Sequence, residues 1–479
     1  MFVTERQANM RSTNLPNDAE SIITSGVTRP RLTFLGVGPL GGTYAACYAE
    51  LGYEVLGYDI DEGRIAKFND GQLPFYERGL DELLAKNLAN GRLRFTTDID
   101  EVAEFGDVHF LCVGTPSRPD SNSADLSYLE ACVTTLAPKL KRQSIIVGKS
   151  TVPVGTSSWV QQLIDEHSPK DVPVEVAWSP EFLQESNAVQ DVMRPNRVVL
   201  AAQSDWAQQL LQAAHKGVFE LAAQEDREVP LVVTDFATAE LVKVASNAFL
   251  STKISYINAM ADLCEVAGGD VTALARAMGH DERIGHKFLR AGIGFGGGCL
   301  PKDLRALASR AQELGVGESL RFLAEIDEVN TRRRTRAVTI AAELCGREVG
   351  PAGPRMDGLH VTVLGTTFKP DTDDIRDSPA LDIARRLRNA GAVVTAYDPK
   401  GMDNARVAQP ELNYVTPLTE AVAGADLVCV LTPWEEFRHL DPAALGDLVS
   451  HRRILDGMNA LDPQLWRNAG WTYRGMGRG

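Results

Sequence analysis

The segment Gly36-Val37-Gly38-Pro39-Leu40-Gly41 constrains this chain more than any other. It follows a short apolar run, Leu32-Thr33-Phe34-Leu35, and leads into a helix-compatible stretch through Tyr44, Ala45, Ala46, Cys47 and Tyr48. A second run, Glu54-Val55-Leu56-Gly57-Tyr58, then ends in Asp59. Strand, glycine turn, helix, strand and acidic residue in that order predict a βαβ unit that binds a dinucleotide. Gly36 permits the tight turn, Gly38 lets a pyrophosphate approach the backbone, and Gly41 lets the helix pack closely on the strand. The orphan N–H groups at the helix start supply positive potential for the phosphates. Asp59 would accept hydrogen bonds from the adenosine ribose and repel a 2′-phosphate, which favours NAD over NADP.

The following segments extend the same pattern. Asp107-Val108-His109-Phe110-Leu111-Cys112-Val113 and Ser144-Ile145-Ile146-Val147-Gly148 are apolar on both faces, as strands of a parallel sheet covered on both sides must be. Between about Asp235 and Gly268 few breakers occur, which predicts a helix of unusual length, apolar around much of its circumference and suited to packing against a second subunit. The last third then repeats the first. His360-Val361-Thr362-Val363-Leu364-Gly365 matches the opening strand and its glycine, Val393 to Asp398 matches Val55 to Asp59, and Ala425 to Pro433 matches Gly106 to Pro116. This copy lacks the complete glycine fingerprint and is expected to bind something other than a dinucleotide. The fold class is therefore α/β, with two Rossmann-like doubly wound domains joined by a long central helix. A length of 479 residues accommodates about three domains: a loose tail over 1–30, an NAD-binding domain over 31–220, a helical dimerisation and catalytic segment over 221–335, and the second sheet domain over 336–479.

Charge and cysteine usage narrow the function. Lysine and arginine total 49 against 64 aspartates and glutamates, a net charge of -15, so a broad basic surface for nucleic acid or anionic lipid is not expected. Phosphate-bearing ligands must be held locally. No apolar run approaches the roughly 18 residues of a membrane span, and residues 1–30 are polar with no signal-like apolar core. Seven cysteines lie between Cys47 and Cys429 without a CxxC pair, which argues against a disulfide framework or a metal site and for a reducing, cytoplasmic setting.

Three constellations carry chemistry. Gly294-Phe295-Gly296-Gly297-Gly298-Cys299-Leu300-Pro301-Lys302-Asp303 joins a glycine-rich turn, able to fold closely around a ligand, to a cysteine ahead of a Lys-Asp pair; a thiol beside a cation is held partly as the reactive thiolate. Lys243 and Asn247, four apart, share a helix face that continues with Leu250, Ile254 and Ile257, so they interrupt an apolar stripe and point to a buried ammonium and amide. Ser179-Pro180-Glu181-Phe182-Leu183-Gln184-Glu185 follows the strand Val174 to Trp178, placing Glu181 and Glu185 where loops line a ligand crevice. Either carboxylate could move a proton or hold a sugar hydroxyl. Lys149 to Thr156 also follows a strand and offers hydroxyls and a proline-fixed turn.

Together with Cys112-Val113-Gly114-Thr115-Pro116 and Phe368-Lys369-Pro370-Asp371-Thr372-Asp373-Asp374-Ile375-Arg376, these stretches resemble the UDP-glucose/GDP-mannose dehydrogenase family, in family order over residues 31 to about 475. The resemblance implies NAD-dependent four-electron oxidation of the C6 primary alcohol of a nucleotide sugar. UDP-glucose to UDP-glucuronate leads, with GDP-mannose as the alternative and a two-electron hydroxy acid dehydrogenase behind it. It implies that Cys299 captures the intermediate aldehyde as a thiohemiacetal that becomes a thioester, and that Lys243 with Asn247 stabilises the oxyanion. Asp303 would tune Cys299 or position water, Thr151 would hold that water, and Glu181 would be the general base of hydrolysis, with Glu185 its competitor. By the same resemblance Arg64, Thr115, Thr151, Glu185, Lys302 and Arg376 contact NAD besides Gly36, Gly38, Gly41 and Asp59. The sugar nucleotide is assigned to Glu181, Phe182, Leu183, Glu185, Lys243, Asn247, Arg283, Arg290, Phe295, Gly296, Phe368 and Lys369. Arg283 is similar to an arginine that crosses to the neighbouring subunit, which implies a homodimer or larger homo-oligomer. The chain departs from the family pattern at Met458, where many relatives carry an arginine, and at Gly298, Ser179 and Ser186, where serine, asparagine and glycine are common.

Overall fold

Eight strands form the sheet of the first unit: β1 (Leu32–Leu35), β2 (Val55–Tyr58), β3 (Leu93–Thr96), β4 (Val108–Leu111), β5 (Ser144–Gly148), β6 (Val174–Trp178), β7 (Val198–Ala202) and β8 (Leu231–Val233). The computed structural model describes Ile22, residues 28–351 and residues 353–478. Its chain divides into two compact units, the first ending at Lys243 and the second starting at Val244, with Ser117–Ser123 belonging to the second. In the first unit the strand order is β3-β2-β1-β4-β5-β6-β7-β8. The first six strands are parallel, β7 is antiparallel to β6, and β8 is parallel to β7. Every residue of β1, β4 and β5 is buried, because helices cover both faces. One face packs Phe34 against Phe110, ring centroids 4.9 Å apart, and the other carries Leu35, Leu111, Ile146 and Trp178. The strands read from the sequence appear where expected. β3, at the edge and only four residues long, gave no such signal.

The second unit repeats this arrangement. After a small antiparallel pair, β9 (Val349–Gly350) and β10 (Gly353–Pro354), come β11 (His360–Leu364), β12 (Val393–Tyr397), β13 (Asn413–Tyr414), β14 (Leu427–Val430), β15 (Arg453–Asp456) and β16 (Thr472–Gly475). Their order, β13-β12-β11-β14-β15-β16, is that of β3-β2-β1-β4-β5-β6 in the first unit. The repeated aspartate differs in its surroundings. Asp398, buried at the end of β12, receives N–H donors from Thr366, Thr367, Lys400 and Gly401, the Thr367 hydroxyl and the Trp434 indole. Its own loop consumes the carboxylate, so the copy offers no ribose acceptor there.

Four helices carry the residues of interest: α1 (Pro39–Glu50), α2 (Phe236–Ala267), α3 (Leu300–Glu313) and α4 (Phe322–Leu344). The unusually long helix expected from the sequence is α2, with 32 residues. Most of the expected loose tail lies outside the described residues. Of its described part, Ile22 is buried in the first unit's core, and Arg29 pairs with Glu220 and lies over the Tyr53 ring. Among the described residues no helix is long and apolar enough to cross a membrane.

The turn between β1 and α1 is shaped by contact distances. Gly36 adopts φ +92°, and a Cβ on Gly41 would stand 2.1 Å from the Gly36 carbonyl oxygen, whereas one on Gly38 would meet nothing within 4 Å. Gly41→Ala should therefore lower unfolding stability by about 2 kcal/mol or more, while Gly38→Ala should cost less than about 1 kcal/mol. Chemical denaturation of the two variants side by side checks this difference.

Candidate active site

The first unit holds the region that fits a dinucleotide. The open space over Gly38 is where a Cβ would otherwise stand, at the N-terminus of α1. A cleft of ≈ 350 Å³ beside it is lined by Gly38, Pro39, Asp61, Gly63, Arg64, Lys67, Pro74 and Phe75. Bare backbone, a helix start and two cations suit a pyrophosphate. Asp59 braces this turn: Val37 N–H donates to Oδ2 at 3.0 Å, Asp61 N–H to Oδ1 at 3.1 Å, and Arg64 Nη1 to Oδ2 at 2.8 Å. Three of its roughly four acceptor positions are used. Thr115 is buried, and its hydroxyl donates to the Thr151 carbonyl at 2.7 Å, fixing the loop that carries Thr151.

The same unit brings Glu181 and Lys243 together. Both are buried, with Lys243 Nζ 2.7 Å from Glu181 Oε1, and the other oxygen accepts from the Leu183 N–H at 2.8 Å. Phe182 lies beneath two cations, with Arg197 3.6 Å and Lys243 5.9 Å from its ring centre. Lys243 is held in place from its own helix as well. One turn earlier the buried Glu240 accepts the N–H groups of Gly155 and Ser157 at 2.7 and 2.6 Å, capping the helix that follows the Thr151 loop. Glu185 is half-buried in a loop whose Ser186 and Ala188 N–H groups both donate to the buried Glu77 at 2.9 Å. Ser186 sits at φ 69°, in the left-handed region that favours the family's glycine.

The second unit presents the cysteine. Cys299 is exposed and stands as the N-cap of α3, where the orphan N–H groups of the first turn favour a thiolate. The buried Asp303 lies in that turn. Its carboxylate takes Asn247 Nδ2 at 2.7 Å on one oxygen and Lys302 Nζ at 2.8 Å on the other. Asn247 is thus joined by one hydrogen bond to the helix that Cys299 caps. The glycine turn before Cys299 lies close against another part of the chain. A Cβ on Gly296 would lie 2.2 Å from the Asp377 carbonyl, one on Gly297 (φ +86°) 2.7 Å from the Phe368 ring, and one on Gly298 2.4 Å from the Arg376 guanidinium. These glycines let the turn press against the protein's own 368–377 loop. Phe295 is clamped by Asn330, which accepts its N–H at 2.7 Å and donates to its carbonyl at 3.0 Å. Its ring is packed with Ala248, Leu304 and Leu323.

The remaining assigned residues are spread over the second unit's surface. Arg376 forks onto Asp374 at 2.6 Å, and Lys369 lies 5.5 Å from the Phe368 ring centre. Arg283 has 89% of its side chain exposed and pairs with Asp281. Desolvation, with Arg438 as a like-charged neighbour, pulls the Arg290 guanidinium below its ordinary value. Met458 lies against Gly292. Sequence reading missed Glu77, Glu240 and Asn330, which act on backbone groups and belong to no motif. Arg334, which braces the Asp377 carboxylate at 2.8 Å, was missed because it too belongs to no motif.

Comparison with known proteins identifies the family over most of the chain. Residues 30–219, 237–332 and 362–463 match the NAD binding, central and UDP binding domains of the UDP-glucose/GDP-mannose dehydrogenase family. A UDP-glucose 6-dehydrogenase of Rhizobium meliloti is 41% identical over 94% of this chain and 99% of its own, and one of Haloferax volcanii is 40% identical over 93% and 99%. The solved UDP-glucose dehydrogenase of Pyrobaculum islandicum superposes with a TM-score of 0.84 at 33% identity, covering 95% of this chain and 99% of that one. The chain belongs to the UDP-glucose/GDP-mannose dehydrogenase family.

Proposed function

We propose that this protein is an NAD-dependent UDP-glucose 6-dehydrogenase that converts the C6 primary alcohol of UDP-glucose to a carboxylate. The observation that carries the reading is Cys299, exposed at the start of α3 beside the Asn247–Asp303–Lys302 cluster. A simple two-electron dehydrogenase has no use for a thiol in that setting. Its family membership, and relatives named for UDP-glucose, support the substrate.

Bound NAD accepts hydride and takes two electrons at a time, so four-electron oxidation consumes two in succession. The chain's residues do the rest. As C6 gives up hydride and its hydroxyl proton leaves to solvent water, Lys243, with Asn247, donates to the C6 oxygen that gains charge, an interaction typically worth about 3 kcal/mol. The Cys299 thiolate forms a C–S bond to the aldehyde carbon, which keeps the aldehyde from leaving between the two oxidations. Oxidation of that thiohemiacetal leaves a thioester. Water then adds to the carbonyl, giving its proton to Glu181, and the C–S bond breaks to return the thiol and release the carboxylate. Glu181 is preferred over Glu185 because it is the carboxylate paired with Lys243. Arg64 and the Gly38 turn hold the cofactor diphosphate, while Arg290 and its neighbour Arg438 suit that of the sugar nucleotide.

The assembly is a homodimer or larger homo-oligomer formed through α2. Phe249, Tyr256 and Leu263 recur every seven residues on that helix and are 65%, 48% and 60% exposed, a stripe too apolar to face water. Seven cysteines spread from Cys47 to Cys429 without a CxxC pair support a reducing, cytoplasmic setting.

Four outcomes are expected. UDP-glucose should yield two NADH per sugar in a panel that includes GDP-mannose, UDP-galactose and UDP-N-acetyl sugars, and Cys299→Ala should lose at least about 1000-fold in turnover; full turnover with two NADH in that variant would remove the thioester. Gly38→Ala should fold yet show weakened NADH binding by fluorescence titration. Tyr256→Glu with Leu263→Glu should shift the light-scattering mass from a multiple of 52.1 kDa towards 52.1 kDa itself.

A further inference from the structure

The roles above leave the buried cation of Lys149 unused. Lys149 follows β5 in the first unit and is only 2% exposed. Strand pairing explains where its side chain goes. The ladder between β5 and β6 ends at Gly148 opposite Trp178, and the Ser179 N–H still donates to the Gly148 carbonyl at 3.0 Å. The Ser179 carbonyl lies beyond this last rung, and residue 180 is a proline with no N–H to continue the ladder. Lys149 Nζ fills the place, donating to the Ser179 carbonyl at 3.0 Å and reaching its hydroxyl at 3.4 Å.

Ser179 is also held from the helix Asp205–Gln224, where His215 Nε2 is 3.1 Å from its hydroxyl oxygen. His215 Nδ1 is 2.9 Å from the Leu211 carbonyl, which can only accept, so Nδ1 carries the hydrogen and Nε2 accepts from the serine. Burial, with Lys149 adding to it, holds the imidazole down at about 3 and therefore neutral. The Lys149 ammonium itself lies 4.3 Å from the Tyr44 ring centre and 5.6 Å from that of Phe110. Satisfying one carbonyl does not require a charge, and a buried ammonium is costly. Desolvation pulls this one down to about 8, opposed by Cys112 and Glu181. What the charge is set beside is the turn into Glu181, two residues past the clamped serine.

We propose that Lys149 is a positioning residue of the oxidation: by clamping Ser179 it fixes the Ser179-Pro180-Glu181 turn and so aims the Glu181 carboxylate at Lys243. The inference rests on the hydrolytic role given to Glu181 above.

A double-mutant cycle of Lys149→Gln and Glu181→Gln tests it, with the NADH burst and the slower steady phase on UDP-glucose read separately. The expected result has three parts. Glu181→Gln alone slows the steady phase at least 100-fold while the burst remains two NADH per site. Lys149→Gln alone slows the same phase about 10-fold or more with NADH binding kept. Adding Lys149→Gln to Glu181→Gln costs less than about 2-fold, because a residue acting through another adds nothing once that one is gone. Should Lys149→Gln fail to fold, Lys149→Arg closes the same cycle, since the longer fork displaces the turn while keeping the charge. Multiplying effects, or a steady phase untouched by Lys149 variants while Glu181→Gln is slow, would overturn the proposal and leave the role of Glu181 standing. A wild-type steady phase in Glu181→Gln would instead overturn that role and this inference with it.

Discussion

A buried ammonium is tolerated only where oxygen meets it, and in this protein Lys243 meets Glu181 at 2.7 Å. The two come from different kinds of element, a long helix and the turn after a strand, so the pair fixes one against the other inside the first unit. Removing either partner strands a buried charge, a change that typically costs about 3–5 kcal/mol. The surroundings are built to hold both ends still. Glu240 ties the helix to the start of its neighbour, one turn before Lys243, and the Leu183 N–H holds the second oxygen of Glu181. A cation that is both buried and immobile needs no rearrangement to stabilise an oxyanion, which is the economical form of electrostatic catalysis.

The second unit solves a different problem with similar parts. The thiol proposed as nucleophile needs exposure and positive potential together, and Cys299 is exposed at the N-cap of α3. Asp303 one turn on would oppose a thiolate if left bare, but Lys302 and Asn247 take up its oxygens. Duplication of the sheet shows how little change redirects such a scaffold. Both units place an aspartate after the second strand. Asp59 keeps acceptor capacity beside an open glycine, whereas Asp398 is closed off by its own loop and an indole.

Much of this was legible in the sequence because the informative residues act through pattern. Glycines at 36, 38 and 41 have three separate reasons to be glycine, and the structure gives each a distance or an open space. Lys243 and Asn247 stood out as polar interruptions of an apolar stripe, and both are buried and paired with carboxylates. The repeat in the last third was visible strand by strand. The rest was hidden where function passes through backbone atoms. Glu77, Glu240 and Asn330 hold N–H and carbonyl groups of distant loops, and no spacing rule announces such contacts. The Gly296 to Gly298 turn shows dense glycine marking a close approach, here to the chain's own 368–377 loop, which no spacing in the sequence announces.

The account turns on covalent capture of the substrate by Cys299. Peptide mass analysis after a single turnover of UDP-glucose with excess NAD, using a hydrolysis-deficient Glu181→Gln protein quenched in acid, addresses it directly. The account predicts a UDP-glucuronyl thioester on the peptide that contains Cys299 and on no other. An unmodified Cys299 peptide at every quench time, with two equivalents of NADH formed and the oxidised sugar recovered as free UDP-glucuronate or on another residue, would contradict it.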